Sequence, residues 1–241
     1  MGSISENLIN VIERVNRAAR KAGRDPAEIT LVAVAKSVEP KNIKEAIAAG
    51  VSVFGENYVQ EAQEHRSKIK DRSIKWHFIG SLQSNKAKAA VELFDFIQTV
   101  DSLKLALELN KRAKDQPKGP VDCLIQVNIA REKTKAGVDS DGALKLARAM
   151  SAMPNLRLRG LMAIPPFYDQ PEMSRPYFVT LRRLAEHINK ERIPGVSLKD
   201  LSMGMSSDFE IAIEEGATII RVGAAIFGLR AQKPPAKKPA K

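Results

Sequence analysis

The stretch Ile29-Thr30-Leu31-Val32-Ala33-Val34-Ala35-Lys36-Ser37-Val38-Glu39-Pro40 joins a short apolar run to a sequence that opens a helix. An apolar run of this length is typical of a buried strand, and a proline such as Pro40 is typical of the first helical turn. Lys36 stands at the end of the predicted strand. Burial would disfavour its ammonium form and free the amine as a nucleophile towards an aldehyde. The alternative is an ordinary lysine that is solvated or ion-paired.

Strand and helix patterns alternate along the rest of the chain. The predicted strands cover residues 29–36, 51–55, 75–80, 94–100, 121–128, 156–164, 198–204 and 218–223. The predicted helices cover 5–22 before the first strand and then 41–49, 59–69, 86–93, 103–113, 142–153, 172–190 and 209–215. Eight short apolar strands with helices between them predict an α/β protein, a single (β/α)8 TIM-type barrel with an extra N-terminal helix. We expect residues 1–230 to form this one domain and the Lys/Pro/Ala-rich tail 231–241 to be disordered.

Composition narrows the classes of function. The formal net charge is +11, but the tail supplies four of the lysines and the other basic residues are scattered among acidic ones. With three Tyr and one Trp not interleaved with arginines, specific nucleic-acid binding is not expected. No stretch is long and apolar enough for a membrane span, and no signal peptide is evident, so we expect a cytoplasmic protein that does not bind membranes. Cys123 is the only cysteine and should be a buried small hydrophobe.

In a barrel, chemistry belongs at the carboxyl ends of the strands. The loops after the seventh and eighth strands are where barrels often bind phosphate, through hydroxyls and glycine amides. Ser206 and Ser207 can supply the hydroxyls, and Gly223 lets its backbone come close to a ligand. The alternative is that one serine caps the next helix and that Gly223 only turns the chain.

Arg221 lies within the eighth strand, on the same face as Gly223. It could pair with a carboxylate, point outward, or face the pyridine nitrogen of a pyridoxal phosphate bound at Lys36. His77 on the third strand is expected to be a satisfied core histidine. The three histidines fall in separate elements without metal-ligand spacing, so no metal site is predicted. The loop 132–137 could meet a phosphate ester, but a solvated turn is the default.

Taken together, six motifs closely resemble the pyridoxal phosphate homeostasis protein family over nearly the whole chain. They are Ala33-Val34-Ala35-Lys36, Phe54-Gly55-Glu56-Asn57-Tyr58-Val59-Gln60-Glu61, Trp76-His77-Phe78-Ile79-Gly80-Ser81-Leu82-Gln83-Ser84-Asn85-Lys86, Gly160-Leu161-Met162-Ala163-Ile164-Pro165-Pro166, Leu201-Ser202-Met203-Gly204-Met205-Ser206 and Arg221-Val222-Gly223-Ala224-Ala225-Ile226-Phe227-Gly228.

The resemblance implies a barrel like the N-terminal domain of alanine racemase (fold type III) with pyridoxal 5'-phosphate as a Schiff base on Lys36. It further implies that Ser206 and the amides of Gly223 and Ala224 hold the phosphate, that Arg221 faces the pyridine nitrogen and that Asn57 lines the pocket. The chain departs from many members at Ala224, where they have Thr or Ser, and at Val38, where they have lysine.

The function that the resemblance implies is control of the cellular level of pyridoxal phosphate, with PLP-dependent apoenzymes as recipients. The alternative is an amino-acid racemase of the same fold type. Racemisation needs a base on each face of the substrate carbanion, and Lys36 can serve only one. In alanine racemase the opposing tyrosine belongs to a second, C-terminal domain of the partner subunit. This chain ends about where such a domain would begin. We therefore expect a monomer with no catalytic residues of its own and no strong enzymatic activity.

Overall fold

In the computed structural model, which describes residues 2–132 and 134–228, eight parallel strands form one closed barrel in chain order. They are β1 (Thr30–Val34), β2 (Val53–Glu56), β3 (Lys75–Phe78), β4 (Phe96–Val100), β5 (Val121–Val127), β6 (Leu156–Ala163), β7 (Asp200–Met205) and β8 (Ile219–Val222). The barrel closes where β1 pairs with β8, with Val32 opposite Arg221. The predicted fold is confirmed, and each strand begins and ends within two residues of its predicted bounds.

The helices of the described residues surround the barrel. They are α1 (Ile4–Lys21), α2 (Pro40–Ala48), α3 (Val59–Lys68), α4 (Ala87–Leu93), α5 (Leu103–Ala113), α6 (Ser140–Met150), α7 (Arg175–Lys190), α8 (Phe209–Glu214) and α9 (Ala224–Phe227). Helix α6 ends before its predicted bound because Pro154 disfavours a helical conformation at Met153. Helix α7 begins later than predicted, after a 3-10 turn, since Pro176 fits only the first helical turn.

The N-terminal helix α1 packs against α8 and α9. Its start is fixed by a capping box, in which the side chains of Ser3 and Glu6 bond each other's backbone amides. An ion pair of 2.7 Å between Arg14 and Glu210 also joins α1 to α8. The extra helix thus packs on the two helices that follow β7 and β8.

Most buried apolar side chains lie between the barrel and its helices, and Cys123 is among them, as predicted. A second, smaller cluster lies inside the barrel, because its members come from strands on opposite sides: Val32, Phe96, Leu124, Met162 and Ile219. Four buried polar side chains on β3, β4, β7 and β8 share the interior with it: His77, Gln98, Ser202 and Arg221. The barrel interior is therefore only partly apolar.

No helix within the described ranges is long and apolar enough to cross a lipid bilayer. The predicted disordered tail, residues 231–241, lies outside the described residues, so that prediction stays untested.

Candidate functional site at the carboxyl ends of the strands

Lys36 lies two residues beyond β1, in the turn that leads to α2. Its side chain is half-buried, and the Nζ atom is 5.4 Å from the centre of the Tyr58 ring. Tyr58 follows β2 and is half exposed, so this cation–π contact lies at the open mouth of the barrel. The amine forms no ion pair with a carboxylate of the described residues, which excludes the ion-paired alternative for that part of the chain.

Ser206 connects the loops after β7 and β8. Its Oγ atom accepts hydrogen bonds from the amides of Gly223 at 3.3 Å and Ala225 at 3.4 Å. A Cβ atom at Gly223 would lie 3.3 Å from Cβ of Val34, so a side chain there would crowd β1. One hydroxyl and two amide N–H groups therefore converge beside the strand that leads to Lys36. This is the donor set that binds an anion such as phosphate.

Neither serine caps α8. Asp208 is the cap residue of that helix, and its carboxylate accepts from the amide of Met205 at 2.7 Å. Ser207 is exposed on the same turn and has no hydrogen bond among the described residues. Ala224 is exposed, and Ala225, which sequence reasoning did not single out, supplies the second amide instead. The short helix α9 was missed because four residues are too few to display a helical period.

Arg221 is buried, with 4% of its surface exposed. Its guanidinium donates to Ser202 Oγ and, at 3.0 Å, to the carbonyl oxygen of Ala163. Both acceptors are neutral, so a carboxylate partner, one of the predicted alternatives, is absent among the described residues. Burial lowers the pKa of Arg221 to about 10, although the charge of Asp208 acts in the opposite direction. The guanidinium is thus a buried cation without a contacting anion.

The hydrogen bonds from Arg221 continue through the barrel in one direction. Arg221 can only donate, so Ser202 uses its own hydrogen for Gln98 Oε1 at 2.6 Å. The amide group of Gln98 is then oriented to donate from Nε2 to His77 Nδ1 at 2.9 Å. His77 must accept this bond and is therefore neutral at Nδ1. Burial also lowers the pKa of His77 to about 4.

The interpretation of His77 as a satisfied core histidine is therefore confirmed. Its T-shaped contact with Phe96, at 4.9 Å between ring centres, fixes the ring from a second side. Gln98 and Ser202 were not singled out from the sequence. The only available signal was that each is a polar residue within a largely apolar strand.

Asn57 follows β2 at the same end of the barrel. Its Oδ1 atom is buried and has no hydrogen-bond partner among the described residues. A Cβ atom at Gly80 would lie 2.1 Å from the carbonyl oxygen of Asn57, so only glycine can take that position without a backbone shift. The backbone of Asn57 is thus held tightly, while its side chain retains an unused acceptor.

The loop after β5 is tied to its surroundings more firmly than a solvated turn. Lys135 pairs with Glu132 at 2.7 Å, and its Nζ atom is 3.4 Å from the carbonyl oxygen of Ile164. Asn128 donates from Nδ2 to the carbonyl oxygens of Glu132 and Lys135.

Within the described residues no three metal-ligating side chains lie together.

The residues at this end of the barrel fit a phosphorylated aldehyde. Strands β7, β8 and β1 are neighbours, and they bring the hydroxyl and amide cluster, the buried guanidinium and the lysine amine to one edge. The amine can attack a carbonyl, the cluster can bind a phosphate, and Arg221 can donate to a neutral acceptor. The sequence prediction of which residues would meet is therefore consistent with the geometry, while their role in binding is still to be tested.

Comparison with known proteins assigns this chain to a family. Residues 7–231 match the model of the alanine racemase N-terminal domain. The pyridoxal phosphate homeostasis protein of Pseudomonas aeruginosa is 42% identical over 238 residues, which span 98% of this chain and 100% of the relative. PipY of Synechococcus elongatus PCC7942, whose structure was solved with PLP bound, is 36% identical, covers 93% of this chain and 100% of its own, and has a TM-score of 0.81.

The alanine racemase of Corynebacterium glutamicum shares the fold, with a TM-score of 0.71 at 20% identity over 99% of this chain and 65% of the racemase chain. This likeness concerns the barrel alone. The match to the family model and the much higher identity to the first two proteins are decisive. The chain belongs to the alanine racemase N-terminal domain family and, within it, to the pyridoxal phosphate homeostasis proteins.

Proposed function

We propose that this protein binds pyridoxal 5'-phosphate and takes part in regulating its level in the cell. The observation that carries the proposal is the meeting, on adjacent strands, of the Lys36 amine, the buried Arg221 guanidinium and the cluster around Ser206. The relatives named for pyridoxal phosphate homeostasis and the PipY structure with PLP bound support it. When bound, the cofactor would supply a carbonyl for the lysine and a ring that can accept electrons.

Each residue would have a separate task. Lys36 would hold the cofactor covalently, while the Ser206 hydroxyl and the amides of Gly223 and its neighbours Ala224 and Ala225 would bind the phosphate. Arg221 would donate to the pyridine nitrogen and so keep it unprotonated, because a guanidinium has no acceptor and keeps its proton at neutral pH. Asn57 would line the pocket with its unused Oδ1. A phosphate contact from Ser207 stays a prediction.

A carrier or regulator is favoured over a racemase for a physical reason. An unprotonated pyridine nitrogen makes the ring a weaker electron sink, which disfavours reactions through a carbanion. Racemisation also needs a second base opposite Lys36, whereas the Tyr58 ring contacts the lysine amine itself. We accordingly propose a monomer that acts in the cytoplasm, with PLP-dependent apoenzymes as recipients of the cofactor.

The proposal can be tested on the purified protein with pyridoxal phosphate added. We expect a visible absorption band, and after borohydride reduction a pyridoxyl adduct on the peptide that contains Lys36. Lys36→Ala should abolish both, whereas the control Lys44→Ala, on the exposed face of α2, should leave both unchanged. An adduct on a different lysine, or none, would refute the assignment.

The racemase alternative needs its own measurement. The loaded protein should be incubated with a panel of L-amino acids and examined for deuterium exchange at the α carbon and for D-isomers. We expect trace turnover at most. A rate of about 1 per second or faster, ordinary for an enzyme, would overturn the carrier assignment in favour of the racemase.

A further inference from the structure

The turn that carries Lys36 has an unusual backbone. Ser37 has a φ of +57°, a left-handed conformation that non-glycine residues seldom adopt. The next amide, that of Val38, donates to the carbonyl oxygen of Ala35 at 3.0 Å and closes a tight turn around the lysine. A residue in such a conformation persists only where its surroundings hold it.

The left-handed residue is held from α3. The amide of Ser37 donates to Glu61 Oε2 at 3.1 Å, across 24 positions of sequence. Glu61 lies in the first turn of α3, just after Tyr58, whose ring contacts the Lys36 amine. One short segment therefore contacts both the backbone and the side chain of the lysine turn.

A second contact holds the following residue. The ring of His65, one turn further along α3, bonds Glu56 Oε1 through Nδ1 at 2.6 Å and lies close to the backbone of Val38. Glu56 at the end of β2 is fully buried, and its Oε2 has no hydrogen-bond partner among the described residues. A buried carboxylate–imidazole pair is costly for folding, and well-packed apolar residues often stabilise a core more.

The pKa values of both members of this pair are raised. Burial raises the pKa of Glu56. Burial alone would lower the pKa of His65, but its bonds to Glu56 and Val38 raise it overall. The hydrogen bond between Oε1 and Nδ1 is thus shielded from water on both sides, since both residues are buried.

The charged and aromatic groups that face His65 come from three elements. Glu56 reaches it from β2, Glu61 acts on it from within α3, and the ring of Trp76 on β3 stacks at 6.5 Å between centres. We infer that Glu61, His65 and Glu56 are positioning residues, which lock the backbone at Ser37 and Val38 and thereby aim the Lys36 amine into the mouth of the barrel. This inference rests on the proposed function of Lys36.

The first variants to test are Glu61→Ala, Glu61→Gln and, as a control, Glu64→Ala. Glu64 lies on the same helix but pairs with Lys68 on the surface. Affinity for pyridoxal phosphate should fall roughly tenfold in Glu61→Ala, the usual effect of losing one charge-assisted hydrogen bond. Glu61→Gln keeps an oxygen that can accept from Ser37 and should restore most of the affinity. Glu64→Ala should bind like the unaltered protein.

Two cofactor-independent measurements complete the test. Amide hydrogen exchange of the peptide spanning residues 36–39, in the cofactor-free protein, should be faster in Glu61→Ala than in the control. The melting temperature should fall by no more than about 2 to 4 °C in Glu61→Ala, since one hydrogen bond is lost, and stay the same in Glu64→Ala. His65→Gln provides a second variant, in which the absorption band of the bound cofactor should shift relative to the unaltered protein.

The outcomes separate the two claims. Faster exchange with unchanged cofactor affinity and spectrum would overturn the positioning role and leave the proposed function standing. Equal loss of affinity in Glu61→Ala and Glu64→Ala would also overturn it, because the effect would then be one of general charge. Failure of the unaltered protein to bind pyridoxal phosphate would refute the proposed function itself.

Discussion

Between pH 7.5 and 4.5, titration of His77 should lower the free energy of unfolding by about 2.5 kcal/mol, and replacing His77 with glutamine should abolish this loss. In the folded protein burial lowers the pKa of His77 from 6.5 to about 4. The unfolded chain therefore takes up a proton on this ring below pH 6.5, while the folded protein does not until about pH 4. The stability that the neutral ring contributes is complete above pH 6.5 and is lost as the pH falls towards 4.

The full difference between the two pKa values corresponds to about 3 kcal/mol, of which about 2.5 kcal/mol is lost by pH 4.5. The hydrogen-bond chain also predicts a loss of stability on acidification, because Gln98 donates to Nδ1 and a proton on that atom would place two donors against each other.

Urea unfolding of the unaltered protein, His77→Gln and His187→Gln, at several pH values, would measure this effect. Glutamine can still accept from Gln98 but does not titrate, so its curve should fall less steeply with acid than the other two. His187 is exposed on α7 and serves as the matched control. Comparing slopes cancels the packing lost with the imidazole ring. Parallel curves for all three proteins would refute the reasoning, as would an NMR titration of His77 with a midpoint near 6.5.

Three further predictions concern the proposed cofactor site and the tail. Arg221→Glu should weaken pyridoxal phosphate binding and shift the pH dependence of the cofactor spectrum, because a carboxylate would favour a protonated pyridine nitrogen and repel the phosphate; an unchanged spectrum and affinity would exclude Arg221 from the site. Ala224→Ser should tighten binding by about 0.5 to 1.5 kcal/mol in a titration if it adds one hydrogen bond to the phosphate, and no change would place the phosphate elsewhere. Deleting residues 231–241 should leave cofactor content and melting temperature unchanged in absorbance and calorimetric measurements, and a clear fall in either would mean that the tail is packed.

The strands were predictable because a barrel with helices on its outside buries nearly continuous apolar runs. Residues 121–127, for example, include only two polar side chains, and they form β5 over that same range. Helix ends were less accessible to prediction. Whether Met153 continues α6 depends on Pro154 and on how the next strand packs. The periodic spacing of apolar residues does not specify either effect.

The candidate site was predictable to the extent that it follows from strand ends. Lys36, Asn57, Ser206 and Gly223 could be selected because all parallel strands of a barrel deliver their carboxyl ends to one face. Which amide joins Gly223 could not be selected. Ala225 rather than Ala224 points its N–H at Ser206, and this depends on the turn that opens α9.

The hydrogen-bonded chain that runs inside the barrel from Arg221 through Ser202 and Gln98 to His77 could not be found in the sequence, for a different reason. Gln98 and Ser202 are 104 positions apart, and their contact of 2.6 Å depends on the stagger of strands that are not neighbours. Each looks like a polar residue tolerated within an apolar strand. Only the closed barrel reveals that they lie between Arg221 and His77.

This hydrogen-bonded chain is best explained as the consequence of keeping a cation at Arg221. A buried guanidinium must donate its hydrogen bonds, and inside a barrel the available acceptors are few. Ser202 can accept from Arg221 only if its hydrogen goes elsewhere, Gln98 accepts that hydrogen, and a neutral His77 accepts from Gln98. Apolar residues at these four positions would suit a barrel that needed only to fold. Their polarity therefore indicates that the cation is retained for a ligand at the mouth, and a variant without the guanidinium should tolerate apolar replacements of Gln98 and Ser202 that the unaltered protein does not.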